Sequence, residues 1–279
     1  MPELPEVETV ARGLSRVWDG RRFASVVCHR AGLRQPFPKD FAQSLSGRRI
    51  ENVGRRAKYL VVRLEGGVVM LGHLGMSGRM VISGLRNTPP GPHDHVEFIT
   101  DESVLVTLTD PRRFGLLTLC RADDLLTHPL LADIGPEPLA QSFDAAALGK
   151  ALAGKATPIK AALLDQRVVA GLGNIYVAES LFRAAISPER PAGQVTPAET
   201  ALLLESIKAV LTEAITAGGS SLRDHVTPDG ELGYFQHSFK VYGREGEPCP
   251  HCPGPPGCAG IRRIVQAGRS TFYCAERQR

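Results

Sequence analysis

Residues 23–120 break into short apolar runs separated by turn signals, and this rhythm narrows the possible folds more than any other feature of the chain. The runs 59–64 and 68–71 flank Gly66-Gly67, and the runs 96–100 and 104–108 flank a turn at 101–103. Parallel pairing would need a crossover of about a dozen residues, so runs joined this tightly pair antiparallel with their neighbours. Several such hairpins in succession argue for an antiparallel β-sandwich. A helix precedes it. Leu4, Val7, Val10, Ala11, Leu14, Val17 and Trp18 recur at helical spacing, and Pro2 and Pro5 fit only at or before the first turn. Residues 133–139, with Gly135, Pro136 and Pro138, read as a linker. Beyond it the pattern is helical over 143–153, 158–164, 175–184 and 197–217, the last stopping at Gly218-Gly219. Residues 220–234 are polar and turn-rich, and a small cysteine-bearing tail follows from 240. The expected class is α+β with several domains: helix and sandwich over 1–132, a linker over 133–139, a helical domain over 140–238 and the tail over 239–279.

A chain of 279 residues suits two domains and a small appendage, each able to bury a core. A net charge of +4 permits a polyanionic partner without demanding one. The distribution is more telling. Arg48, Arg49, Arg55, Arg56 and Lys58 form one cluster, and Arg262, Arg263, Arg269, Arg277 and Arg279 another. The plain reading of either is solvated surface charge; two clusters beside Gly-rich and Cys-rich segments shift the expectation toward phosphate contacts. No apolar run is long enough to span a bilayer, and Glu3, Glu6 and Glu8 crowd the start where a signal peptide would be basic. The expected location is cytoplasmic, with no membrane contact. Of six cysteines, Cys28 and Cys120 stand alone in apolar stretches, whereas Cys249, Cys252, Cys258 and Cys274 share the tail. In a reducing compartment such a cluster reads as a metal site before disulfides, and four thiolates suit one tetrahedral structural zinc.

Chemistry-bearing residues begin at the N-terminus. Once Met1 is removed, Pro2 presents a secondary amine, which attacks an electrophilic carbon to give an iminium, an electron sink. A helix N-terminus disfavours the added proton, keeping more of the amine nucleophilic at neutral pH. Glu3 stands beside it as a general acid and base, and Glu6 falls on the same helix face. The plain alternative is that Pro and Glu start helices well. Gly171-Leu-Gly-Asn174 lies between two short helices, with Asn174 where an N-cap belongs and Lys155 and Lys160 upstream, a pattern able to hold a phosphate.

Taken in order, Met1-Pro-Glu-Leu-Pro-Glu-Val-Glu-Thr9, Arg55-Arg-Ala-Lys-Tyr-Leu60, His73-Leu-Gly-Met-Ser-Gly78, His93-Asp-His95, Asp110-Pro-Arg-Arg-Phe-Gly115, Leu164-Asp165, the 171–176 segment, Tyr242-Gly-Arg244 and Arg269-Ser-Thr-Phe-Tyr-Cys274 resemble the formamidopyrimidine-DNA glycosylase family over essentially the whole length. The resemblance implies a bifunctional repair enzyme that removes oxidised purines from duplex DNA and cleaves at abasic sites by β,δ-elimination, acting as a monomer. It implies that Pro2 attacks sugar C1′, that Glu3 relays protons, that Lys58 assists elimination and that Arg269 acts in the second elimination. It assigns DNA contacts to His93, Arg112 and Lys155, with Lys160 nearby, and a phosphate contact to Asn174 in a helix–two-turn–helix. Met76, Arg112 and Phe114 would fill the gap left by the extruded nucleotide, offsetting part of the few kcal/mol that flipping costs. Glu6, Ser220 and Arg223 would meet the flipped base under the 220–234 loop. The tail would be a zinc-ribbon-like β-hairpin, with one departure. The family has two Cys-x-x-Cys pairs, and here the last position of the second pair is Arg277. Cys252 or His251 would have to supply the fourth ligand, and prolines at 253, 255 and 256 limit how that loop turns. Two other readings stay open: a relative of the endonuclease VIII type acting on oxidised pyrimidines, and a non-catalytic DNA-binding protein with a zinc ribbon. The opening motif argues against the first, and the combination of Pro2, Glu3 and Lys58 against the second.

Overall fold

Helix α1 (Leu4–Trp18) buries the stripe its spacing foretells: Leu4, Val7, Val10, Ala11, Leu14 and Trp18 are all inside. In the computed structural model, which describes residues 1–85, 88–221 and 227–279, the chain forms two units. One is Met1–Ala132 with Ile215–Gln236; the other is Asp133–Ala214 with His237–Arg279.

In the first unit, α1 is followed by β1 (Phe23–Cys28), the short helix α2 (Phe41–Leu45) and strands β2 (Ile50–Arg56), β3 (Tyr59–Leu64), β4 (Val68–His73), β5 (Arg79–Gly84), β6 (Asp94–Thr100), β7 (Val104–Thr109) and β8 (Leu116–Arg121). They make two antiparallel four-stranded sheets, ordered β1-β6-β7-β5 and β2-β3-β4-β8. The β3–β4 ladder keeps Leu64 opposite Val68 around Gly66 and Gly67, both at positive φ, which glycine adopts without strain. Trp18 of α1 packs edge-on against Phe23 and Phe98, with ring centroids 5.1 and 5.4 Å away, and a continuous apolar core runs on through Val62, Met70, Val96 and Val106. The order of strands has one consequence for the site. The β4–β5 and β7–β8 connections both pass from one sheet to the other.

The segment Ile215–Gln236 belongs to this unit, although its sequence groups it with the preceding helix. Ser220 bridges Tyr234, Ile82 donates its amide to the Pro228 carbonyl at 2.8 Å, and Arg16 of α1 pairs with Asp229. At Gly13 a Cβ would fall 2.6 Å from the Pro228 ring, so only glycine lets the turn lie this close to α1.

The second unit holds helices α3 (Ala145–Leu152), α4 (Ile159–Leu164), α5 (Asn174–Arg183) and α6 (Pro197–Thr216) and the hairpin β9 (Arg262–Gln266) and β10 (Arg269–Tyr273). Asp144 caps α3 by accepting from the Ala147 amide at 2.8 Å. Leu148, Leu163, Tyr176, Phe182, Leu203 and Ile207 are buried. Glu179 of α5 fastens the tail. Its carboxylate accepts from the backbone amides of Lys240, Val241 and Tyr242 at 2.9, 3.0 and 2.8 Å, while burial pushes its pKa up. Ala267 and Gly268, both at positive φ, form the two-residue turn between β9 and β10. Among the described residues, no helix is long and apolar enough to cross a membrane.

Candidate functional site

Pro2 is buried immediately before α1, and Met1 ahead of it is half-exposed. While Met1 is present the Pro2 nitrogen is a tertiary amide; its removal creates the secondary amine. Glu3 and Glu6 are both buried. Glu6 braces two segments. Its Oε2 accepts from the Glu3 amide and its Oε1 from the Ser220 amide, each at 2.8 Å. Ser220 is buried with it, whereas Arg223, expected over a flipped base, lies outside the described residues.

Lys58 is buried in the two-residue turn between β2 and β3, directly after Ala57, whose φ of 52° is in the left-handed region. Arg55 ties this turn to α1. Its Nε donates to Glu8 at 3.0 Å and its Nη1 to the Ala57 carbonyl at 3.1 Å. Burial alone would raise the Glu8 pKa, but Arg12 and Arg55 hold it below the usual carboxylate value. His73 packs against Tyr59 with ring centroids 4.9 Å apart, and its Nδ1 accepts from the Gly75 amide at 2.9 Å. Burial, followed by the charges of Arg34 and Lys58, lowers its pKa to about 4, so the ring is neutral near pH 7.

The two sheet-to-sheet connections carry Met76, Arg112 and Phe114. Met76 is 38% exposed and Phe114 44%, unusual for apolar side chains with a core at hand. The Arg112 guanidinium stacks over the Phe114 ring, 4.8 Å from its centroid. His93 is exposed, and its carbonyl accepts from the Asp110 amide at 3.0 Å.

In the second unit, two expectations change. The sequence places Asn174 at an N-cap, but Gly173 takes that position and Asn174 is the first helical residue. Its Nδ2 donates to the Ser270 carbonyl at 2.9 Å. Lys160, expected at a phosphate, is buried, and its ammonium donates to the same Ser270 carbonyl at 2.9 Å and to Thr271 Oγ1 at 2.6 Å. Burial, and then the Arg269 charge, lower its pKa to about 8. The reason is local: Lys160 stands three residues before Leu163, on the side of α4 that faces the core. Arg269 itself is exposed, directly after the β9–β10 turn. Lys155 is partly buried in the loop between α3 and α4.

The sulfurs of Cys249, Cys252, Cys258 and Cys274 lie within 4.8 Å of one another, a group that could hold a metal ion. Cys274 Sγ is 3.6 Å from Cys252 and 3.5 Å from Cys258. Cys252 therefore joins the cluster despite the prolines after it. His251 turns away and packs on Phe182, ring centroids 5.5 Å apart. Arg277 is absorbed elsewhere. Its guanidinium lies 5.1 Å from the Phe182 ring centroid and donates to the Phe182 carbonyl at 3.1 Å, which also accepts from the Ala185 amide, and to the Arg183 carbonyl at 3.4 Å, both at the end of α5.

The family model of the formamidopyrimidine-DNA glycosylase N-terminal domain matches residues 1–117, and that of the formamidopyrimidine-DNA glycosylase H2TH domain matches 134–226. The chain is 56% identical to the formamidopyrimidine-DNA glycosylase of Acidiphilium cryptum and 58% identical to that of Rhodospirillum centenum, covering 100% of both partners in each case. Among solved structures, the MutM (Fpg) protein of Thermus thermophilus superposes with a TM-score of 0.86 at 43% identity, over 99% of this chain and 98% of that one. The wild-type Lactococcus lactis protein, solved in complex with DNA containing N7-benzyl-Fapy-dG, gives 0.89 at 34% identity over 100% of both chains. With both family models matched and full-length relatives identical at more than half their positions, the chain belongs to the formamidopyrimidine-DNA glycosylase family.

Proposed function

We propose that this chain is a base-excision-repair glycosylase that removes oxidised purines, 8-oxoguanine and formamidopyrimidines, from duplex DNA and cleaves the backbone at the abasic site, with Pro2 as nucleophile. The observation that carries the assignment of roles is the buried Pro2-Glu3 pair at the start of α1, with Glu6 holding the Glu3 amide at 2.8 Å. Attack of the Pro2 nitrogen on sugar C1′ breaks the bond to the base, and sugar opening leaves an iminium. The iminium accepts the electron pair freed when a C2′ proton is lost, and the C3′–O bond breaks; a second elimination breaks the C5′–O bond. Glu3 moves protons during base loss and ring opening. Lys58, on its strained turn, serves the eliminations, and exposed Arg269 the second of them. His93, Arg112 and Lys155 bind backbone, and Met76, Arg112 and Phe114 form a wedge in the duplex.

The tail cysteines fit one structural zinc. Sulfurs at about 2.3 Å from a tetrahedral zinc stand roughly 3.8 Å apart, close to the 3.6 and 3.5 Å between Cys274 and its neighbours Cys252 and Cys258. With every position taken by sulfur, a bound ion would contribute folding energy and offer no open site for chemistry.

Borohydride trapping tests the whole reading. A covalent adduct is expected with a duplex holding 8-oxoguanine, and little with an oxidised pyrimidine or an undamaged duplex. Adduct mainly with the pyrimidine would transfer the protein to the endonuclease VIII type, and binding with no adduct would make it a non-catalytic binder.

Two substitutions separate DNA contacts from packing. Phe114→Ala should slow excision from duplex by about 10-fold or more, yet shift Tm little, because the ring is half-exposed. A large fall in Tm, as for a buried phenylalanine, would instead place the ring in the core. Lys160→Met should leave the salt dependence of duplex binding unchanged, because its ammonium is used internally. A lysine on a phosphate, as proposed for Lys155, should lower the slope of log K against log salt by about one when removed. A lowered slope for Lys160→Met would return that residue to the DNA interface.

A further inference from the structure

Met76, Arg112 and Phe114 arrive at one end of the sandwich on two different connections. Met76 lies between β4 and β5, Arg112 and Phe114 between β7 and β8, and each connection passes from one sheet to the other. The ladders pair the stems of the two connections, His73 with Leu116 and Arg79 with Thr109, and end there, leaving 74–78 and 110–115 outside them. The two touch backbone to backbone. At Gly75 a Cβ would lie 2.4 Å from the Phe114 carbonyl carbon.

Beyond the stems, what joins them is Asp110, a carboxylate with no exposed surface. Its Oδ1 accepts from the Ser77 hydroxyl at 2.6 Å, reaching into the first connection beside Met76. Its Oδ2 accepts from the Gly115 amide at 2.8 Å, closing the second connection behind Phe114. Ser77 is also buried, and its Oγ accepts in return from the Arg112 amide at 3.2 Å. The backbone of Asp110 extends the network. Its carbonyl is bonded to His95 Nε2 at 2.8 Å and accepts from the Arg113 amide at 3.2 Å. Arg113 holds a φ of 57°, a left-handed conformation that a residue with a Cβ adopts only when its surroundings impose it.

We infer that Asp110 and Ser77 are positioning residues for base extrusion: the buried Asp110–Ser77 pair cross-links the two sheet-to-sheet connections, so that Met76, Arg112 and Phe114 enter the duplex as one rigid wedge. The inference rests on the wedge role proposed above. Connections held in place in the free protein spend less binding energy on ordering the backbone that carries the three side chains, and a misplacement of about 1 Å costs on the order of 100-fold in rate. Ser77→Ala removes both the donor to Asp110 and the acceptor for Arg112 while deleting a single oxygen. Asp110→Asn keeps the shape and weakens the acceptor.

The test compares two substrates. Excision of 8-oxoguanine from duplex needs the wedge, whereas β-elimination at an abasic site in a single strand needs no extrusion. Ser77→Ala is expected to slow the first by about 10- to 100-fold and the second less than about two-fold, with Asp110→Asn showing the same selectivity. Fluorescence of 2-aminopurine placed opposite the lesion should report slower unstacking in both variants. Equal loss on both substrates would mean general damage to the fold and would overturn the inference. So would unchanged rates on both while Phe114→Ala is impaired on duplex. If Phe114→Ala is itself silent on duplex, the wedge role fails first, and the positioning role falls with it.

Discussion

Pro2→Gly should slow base excision by about 100-fold or more while leaving duplex binding within a few-fold. Glycine at this position would still offer an amine once Met1 is gone, so the loss measures geometry and not the presence of nitrogen. Pro2 is buried ahead of α1, and its ring fixes the backbone that aims the lone pair. Glycine frees that backbone and makes the amine primary, so fewer of its conformers reach sugar C1′. The Glu6 brace on the Glu3 amide should survive, because it depends on backbone beyond Pro2. The variant should therefore keep its Tm. Single-turnover excision of 8-oxoguanine and borohydride trapping, run side by side, check the result. Intact mass of the wild-type protein supplies the decisive control: active protein that still carries Met1 would rule out the Pro2 amine as nucleophile.

With zinc in the proposed four-thiol site, stripping it should have the other large effect. Cys274 has no exposed surface, and it sits between Cys252 and Cys258. A closed thiolate site contributes about 10–16 kcal/mol of folding energy to a unit this small. Chelation, or Cys274→Ser, should then disorder the hairpin β9–β10, displace Arg269 and weaken duplex binding by at least about 10-fold. The sandwich core around Trp18, Phe23 and Phe98 should stay folded, giving two separate thermal transitions where the holoprotein gives its own pattern. Cys252→Ser should match Cys274→Ser in zinc content, because both are among the four thiols of the proposed site. Elemental analysis decides it. Zinc well below one per chain in protein that still excises 8-oxoguanine would refute the site, and full zinc in Cys252→Ser would refute that ligand.

The parts of the fold that were legible in the sequence are those with local punctuation. β3 and β4 are marked by Gly66-Gly67, and β6 and β7 by the turn at 101–103, so their pairing is decided within a few residues. β2 and β5 are harder. β2 carries Glu51, Arg55 and Arg56 among few apolar residues, and β5 lies at a sheet edge, so their strand character comes from partners distant in sequence. At the site, Pro2, Glu3 and Lys58 are visible because their motifs are distinctive. Ser77 and Asp110 are not, because a serine and an aspartate among glycines look like turn residues until the two connections are seen side by side. Lys160 does carry a signal, its place on the apolar side of a short helix, which favours an internal role over a phosphate. Asn174 carries none, since N-cap and first helical positions differ by one residue.

Arg277 has a consequence for any attempt to restore the family's cysteine spacing. Its guanidinium donates to the Phe182 and Arg183 carbonyls at the end of α5. Arg277→Cys would remove those contacts, while Cys249, Cys252, Cys258 and Cys274 already bring four sulfurs within 4.8 Å of one another. A fifth thiol would have no position to fill in a tetrahedral site, and the substitution would loosen the tail's hold on α5.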